Sequence, residues 1–291
     1  MSYPAQPTTL GAAKGDAARD DRVFPFTRIV AINVVVAVFA GFVLLYGFPN
    51  ETARLWAWTI KPAMTPMLMG AGYMAGAYFF FRVYRASHWH TVALGFLPVT
   101  VFASSMGLAT LLHWDRFNHG HIVFFLWLAL YVVTPFLVPI IWLINRRTDP
   151  GPASDELMLP KTARVGFALL GVAEMAFVIA MFLQPVQFVA FWPWKLTPLT
   201  ARVVAGWFSL TGVIGLTIAS DGRWSAARIP LQSALVGLGL MLLAVLRGWG
   251  DFDPANPLSW GFAGFVLILF VVFAGLLVVM DGLQRNIRRA D

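Results

Sequence analysis

Long uninterrupted apolar runs, separated by short polar turns, follow one another along almost the whole chain. Eight of them reach the roughly 20 residues that a membrane-spanning helix needs. They cover approximately residues 28–47, 65–84, 91–112, 120–144, 163–183, 199–219, 229–246 and 258–281, the seventh being the shortest. Within each run the apolar residues are continuous rather than alternating, which argues against the strands of a membrane barrel. The pattern predicts an all-α integral membrane protein with eight transmembrane helices.

The runs are not eight independent segments. Trp56-Ala57-Trp58-Thr59-Ile60-Lys61-Pro62 is echoed by Trp192-Pro193-Trp194-Lys195-Leu196-Thr197-Pro198, 136 positions later. The same offset pairs Arg28 with Arg164, Pro49 with Pro185, Gly70 with Gly206 and Gly76 with Gly212. Trp114-Asp115-Arg116-Phe117 resembles Trp249-Gly250-Asp251-Phe252 with the offset shifted by one residue. These matches read as an internal duplication. The expected organisation is a disordered tail over 1–24, a four-helix repeat over 25–147, a linker over 148–160 and a second four-helix repeat over 161–291. Each half has an even number of spans, so both enter the membrane from the same side and the repeats are parallel.

Composition supports lipid as the solvent. Of the 291 residues, 59% are hydrophobic and only 12% charged, against about 25% charged in a soluble domain. The net charge of +7 sits in short loops, with no compact basic domain to grip nucleic acid. If the N-terminus is inside, 15 Lys and Arg lie on the inner side and six on the outer, so the positive-inside rule places both termini in the cytoplasm of a cell membrane. The first 22 residues lack the apolar core of a signal peptide. The absence of Cys excludes disulfides, thiolate metal sites and Cys nucleophiles.

Candidate chemistry is sparse. His113, Asp115, His119 and His121 fall within nine residues of one outer turn, and imidazole with carboxylate suits a transition metal or, through axial ligation, haem. His88 and His90 lie at the opposite end of the third span, too far from His113 to share a metal, which leaves a two-haem arrangement as the only joint use. Glu174 is the one carboxylate inside a span, where a charge costs several kcal/mol. It is expected to be neutral, paired or facing water, with Thr100, Ser104 and Ser105 as candidate partners. Asn33 reads as an interhelical hydrogen-bonding residue. Met64, Met67, Met69 and Met74 read as packing. The glycines of the second and sixth spans predict close helix contacts near the bundle centre. Trp56, Trp58, Trp192 and Trp194 read first as anchors at the membrane interface, each pair preceding a proline in the first turn of the next span, and second as the rim of a pocket. Arg202 and Arg247, beside Asp251 and Asp253, are candidates for ion pairing or for receiving an anionic ligand.

No phosphate-binding loop, dinucleotide fingerprint or nucleophile elbow is present. The expected function is therefore that of a non-enzymatic protein binding or moving a small solute or ion between the two repeats. That pathway would use Glu174, the four tryptophans, Arg202 and Arg247. The alternatives are a metal- or haem-binding redox or sensory subunit, and a scaffold within a membrane complex or homo-oligomer.

Overall fold

The computed structural model describes residues 21–149, 151–152 and 156–290. Most of the expected tail and the centre of the expected linker (150 and 153–155) lie outside these. Among the described residues the protein is all-helical, with isolated bridges but no strand. Its long helices are α1 Pro25–Phe42, prolonged to Gly47 by a π turn, α2 Met64–Arg85, α3 Phe96–Leu112, α4 Ile122–Asn145, α5 Lys161–Leu183, α6 Pro198–Asp221, α7 Trp224–Arg247 and α8 Pro257–Ala290. Their limits fall within a few residues of the apolar runs, except that α7 starts five residues early and α8 continues well past its run. One helical turn, His90–Ala93, precedes α3 and prolongs it toward the same end.

Seven of these helices are long and apolar enough to cross a membrane, the pattern of a multi-pass membrane protein. The exception is α2. At 22 residues it is about 33 Å long, enough to span, but Thr65, Gly70, Gly72, Tyr73, Tyr78 and Arg82 dilute its apolar character. Its position explains the composition. Thirteen of its residues are buried, as are 13 of α6, because these two helices form the centre of the bundle. A helix surrounded by protein need not be greasy, whereas the outer helices present Val36, Phe136, Leu169 and Val278 outward at 67–71% exposure. An exposed apolar surface of that extent would not be tolerated in water.

Packing crosses between the first four helices and the last four. α1 lies on α2 and α5 on α6, but α3 packs against α6 and α7 against α2. Small residues bring the backbones together where helix association gains nothing from excluding water. An added Cβ on Gly70 would lie 2.8 Å from Tyr46, one on Gly72 would run into the Trp207 ring, and one on Gly171 would lie 2.8 Å from the Gly212 carbonyl. α4 carries Pro135 and Pro139 within its length. Pro135 has no N–H for the Tyr131 carbonyl, and that carbonyl instead faces Gly107 of α3, where a Cβ would come within 2.9 Å.

Local geometry repeats at the offset seen in the sequence. Arg28 donates to the carbonyls of Tyr84 and Ala86, and Arg164 to those of Ala219 and Ser220. The Trp89 N–H donates to the Asp21 carbonyl at 2.7 Å, the Trp224 N–H to the Leu157 carbonyl at 2.8 Å. The Asn118 N–H meets the Ala57 carbonyl as the Asp253 N–H meets that of Pro193. Residues 21–24 are thus tied down, not part of a loose tail. One position departs from the pattern. α6 ends on Gly222 at φ 76°, the left-handed cap that glycine supplies without steric cost, while α2 ends on Ala86 in extended geometry.

Candidate functional site

A cavity of about 260 Å³ runs between the first four helices and the last four, with an almost wholly apolar lining. Five of its polar side chains, on α2, α4, α5 and α6, form a rung across the bundle, apart from Thr27, Thr134 and Ser233 elsewhere in the lining. Tyr73 of α2 and Tyr131 of α4 share a hydrogen bond at 2.9 Å, both buried. Trp207 of α6 sets its edge against Tyr73 with ring centroids 4.9 Å apart. Thr211 lies one helical turn further along α6, on the same face. It bonds Glu174 of α5 at 2.5 Å and the Phe208 carbonyl at 3.0 Å. One hydroxyl proton cannot serve both acceptors. Both contacts are satisfied when the carboxyl is protonated and donates to Thr211, which then donates to Phe208. A neutral carboxyl is also what an apolar surrounding favours. Thr211, on the adjacent helix, thus replaces the expected partners Thr100, Ser104 and Ser105, whose hydroxyls all bond carbonyls of their own helix. Asn33 likewise bonds its own helix, at the Ile29 carbonyl, rather than a neighbour.

The tryptophan pairs are turned into the protein. Trp56, Trp58 and Trp194 are buried, with Trp192 partly so. Trp56 and Trp58 pack on Trp127, which in turn packs on Tyr131. The Trp194 indole donates to Thr65 at 2.9 Å, joining the last four helices to the first of the two central ones. The chain between Pro49 and Trp56 makes only a 3-10 turn and the single turn Thr52–Leu55, and it folds inward as a plug over the bundle end. Buried aromatics contribute more contact area there than they would at a headgroup layer. Pro198 does open α6, but Pro62 precedes α2 by two residues. Asp251 performs the capping instead, accepting from the Met64 N–H at 2.8 Å.

The His-rich turn does not converge. His121 caps α4 by accepting from the Val123 N–H, His119 lies tilted against Trp114 and edge-on to Phe124, Asp115 pairs with its neighbour Arg116 in solvent, and His113 accepts from Arg202 at 2.7 Å. Among the described residues no three His, Asp or Glu side chains come together as a metal site. His90 bonds Asp21, and its backbone N–H also meets that carboxylate. His113, His121 and His90 are each engaged in hydrogen bonds with the protein itself.

Arg202 and Arg247 do not pair with Asp251 and Asp253. Arg202 donates to the Phe182 carbonyl and Arg247 to that of Tyr46, the carbonyls left open where α5 and the α1 extension end. Burial, reinforced by the Arg202 charge, holds the His113 imidazole below its ordinary value. At the opposite end of the bundle, Arg223 is raised by its bonds to Asp221 and then Asp149, and the Arg223 guanidinium holds Asp149 below the usual carboxylate range.

Sequence reasoning singled out Glu174 but missed Tyr73, Tyr131, Trp207 and Thr211. Aromatic and hydroxyl residues inside apolar runs look like packing until their neighbours are known. The prolines of α4 were a readable signal for an irregular helix beside the cavity. No protein-family model, curated protein or solved structure matches the chain.

Proposed function

We propose that the protein is an eight-span membrane protein, two parallel four-helix halves with both termini cytoplasmic, that binds a small solute in the cavity between the halves. The observation that carries this reading is Glu174, a carboxylate midway along α5, lining that cavity against Thr211. Several features support the two-fold arrangement. The cavity is lined by both members of position pairs at the repeat offset: Val38 with Glu174, Ala75 with Thr211, Tyr131 with Val266 and Phe102 with Gly237. A cavity holding both members of such pairs lies on the axis relating the halves, where transporters place their sites. The 15-to-6 distribution of Lys and Arg supports the orientation.

Photolabelling tests the reading. A decyl chain bearing a terminal diazirine is added to the protein in liposomes, and labelled peptides are mapped. Labelling concentrated on the cavity faces of α5 and α6 is expected. Gly76→Trp, at a cavity-lining position with no atom within 4 Å of its side-chain direction, should remove most of that labelling. Label confined to lipid-facing positions, unchanged by Gly76→Trp, would overturn the proposal.

A further inference from the structure

Hydrogen-bond accounting around the cavity identifies the chemistry of the solute. Tyr73 and Tyr131 are 4% and 3% exposed, and each hydroxyl has the other as its hydrogen-bond partner. Two hydroxyls carry two protons, and their mutual bond uses one. The second has no acceptor. Trp207, 7% exposed and packed on Tyr73, has an indole N–H with no partner at all. All three residues line the cavity. Buried donors without acceptors cost about 1–3 kcal/mol each, and native interiors rarely leave them so. Here two lie side by side at one end of the polar rung.

The rest of the lining is largely apolar. Val266 stands at the repeat-related position to Tyr131, and Val38 and Ala75 stand at those of Glu174 and Thr211. The hydroxyls of Ser233 and Thr27 also reach the lining, but Ser233 donates to the Ala75 carbonyl and Thr27 accepts from Asn145. A molecule filling this space meets the unpaired donors and an otherwise mostly hydrocarbon surface, and the enclosure is too apolar for a hydrated ion.

We infer that the solute is a neutral, lipid-soluble carbonyl compound, an apolar body bearing a ketone, quinone or ester oxygen that accepts from the Tyr73–Tyr131 pair and from Trp207. This inference rests on the proposed cavity site and gives that site its ligand class. The carbonyl supplies the acceptor that the two donors lack without bringing in a further donor that would itself need a partner. Its hydrocarbon part lies against Val38, Ala75 and Val266 and reaches the bilayer without crossing water.

The tyrosine pair makes the inference sharply testable. Replacing one tyrosine leaves the other hydroxyl with its proton still free for the ligand. Replacing both removes the donor. Tyr73→Phe and Tyr131→Phe alone should therefore retain binding, and only the double variant should lose it. The probes are a decyl-substituted benzoquinone and decylbenzene, which share a chain and differ in the carbonyls. Binding is read from the shift in thermal unfolding of the detergent-solubilised protein across a probe titration. Preferential binding of the quinone by wild type is expected. Its affinity should fall roughly tenfold, toward that of decylbenzene, in the double variant, the loss of one hydrogen bond. Trp207→Phe, which removes the other donor independently, should reduce the preference by a similar factor. Equal affinities of wild type for the two probes would overturn this inference and leave the cavity site standing. Loss of the preference in either single tyrosine variant would also overturn it. If neither probe binds, and the diazirine probe does not label the cavity, the site itself fails.

Discussion

The first four helices and the last four share a frame and differ in what the frame encloses. Arg28 and Arg164 tie down the ends of α2 and α6 in the same way, and Trp89 and Trp224 occupy the same fully buried place. In the cavity lining the residue types diverge: Val38 stands at the position related to Glu174, Ala75 at that of Thr211 and Val266 at that of Tyr131. Backbone carbonyls at helix ends must be satisfied wherever a helix ends, so both copies of the frame answer the same requirement. No such requirement acts on the cavity wall. A buried polar side chain there carries a stability cost unless a partner or ligand meets it.

The largest expected effect probes the frame. Trp89→Ala and Trp224→Ala each remove a fully buried indole, and each should cost about 3–5 kcal/mol. Trp224 also donates to Asp281 at 3.1 Å, whereas the Trp89 indole has no partner. The Trp224 variant should be the worse by about 1 kcal/mol, the value of that bond. Thermal unfolding in detergent checks both. A wide disparity in the other direction would show that the two positions are not equivalent.

Next come the arginine clasps. Arg28→Ala and Arg164→Ala each remove charge-assisted bonds to carbonyls and should destabilise by about 1.5–3 kcal/mol, with similar values for the two. Loss from only one would break the correspondence between the halves at that end.

The smallest effect is a pH dependence in which the two halves differ. The strap before α1 is held by Asp21 on His90, while the segment before α5 is held by Asp149 on Arg223. Asp149 is depressed in the folded protein. Its contribution is therefore fully present above the unfolded value of about 3.9 and is lost as pH falls through the lower folded value. Arg223→Gln should flatten that part of the acid unfolding profile, measured by intrinsic fluorescence between neutral and acid pH. An unchanged profile would remove Asp149 as its source.

Much of the architecture was legible because lipid makes hydropathy informative. A backbone in hydrocarbon must satisfy its own hydrogen bonds, so a long apolar run is a helix. The limits of α1, α4 and α6 follow from that alone. The position of α2 at the centre was readable too, from Gly70, Gly72 and Gly76. The site was legible only in Glu174, because a lone carboxylate in an apolar run is anomalous by itself. Tyr73, Tyr131 and Trp207 are not anomalous. Their meaning depends on which acceptors lie within reach, and that is a property of neighbours far apart in the chain.

The same division applies to the tryptophan pairs and the His-rich turn. By itself the sequence determined the helices, the 136-residue offset and the isolation of Glu174, since each depends on residues near in sequence or on solvent. Only the tertiary structure decided that Trp56 and Trp58 are buried and that His113 accepts from Arg202. It likewise decided that Asp251 caps a helix begun 187 residues earlier. Tryptophan, histidine and aspartate each have several satisfactory surroundings, and the choice among them is made by whichever unsatisfied group the packing brings within about 3 Å.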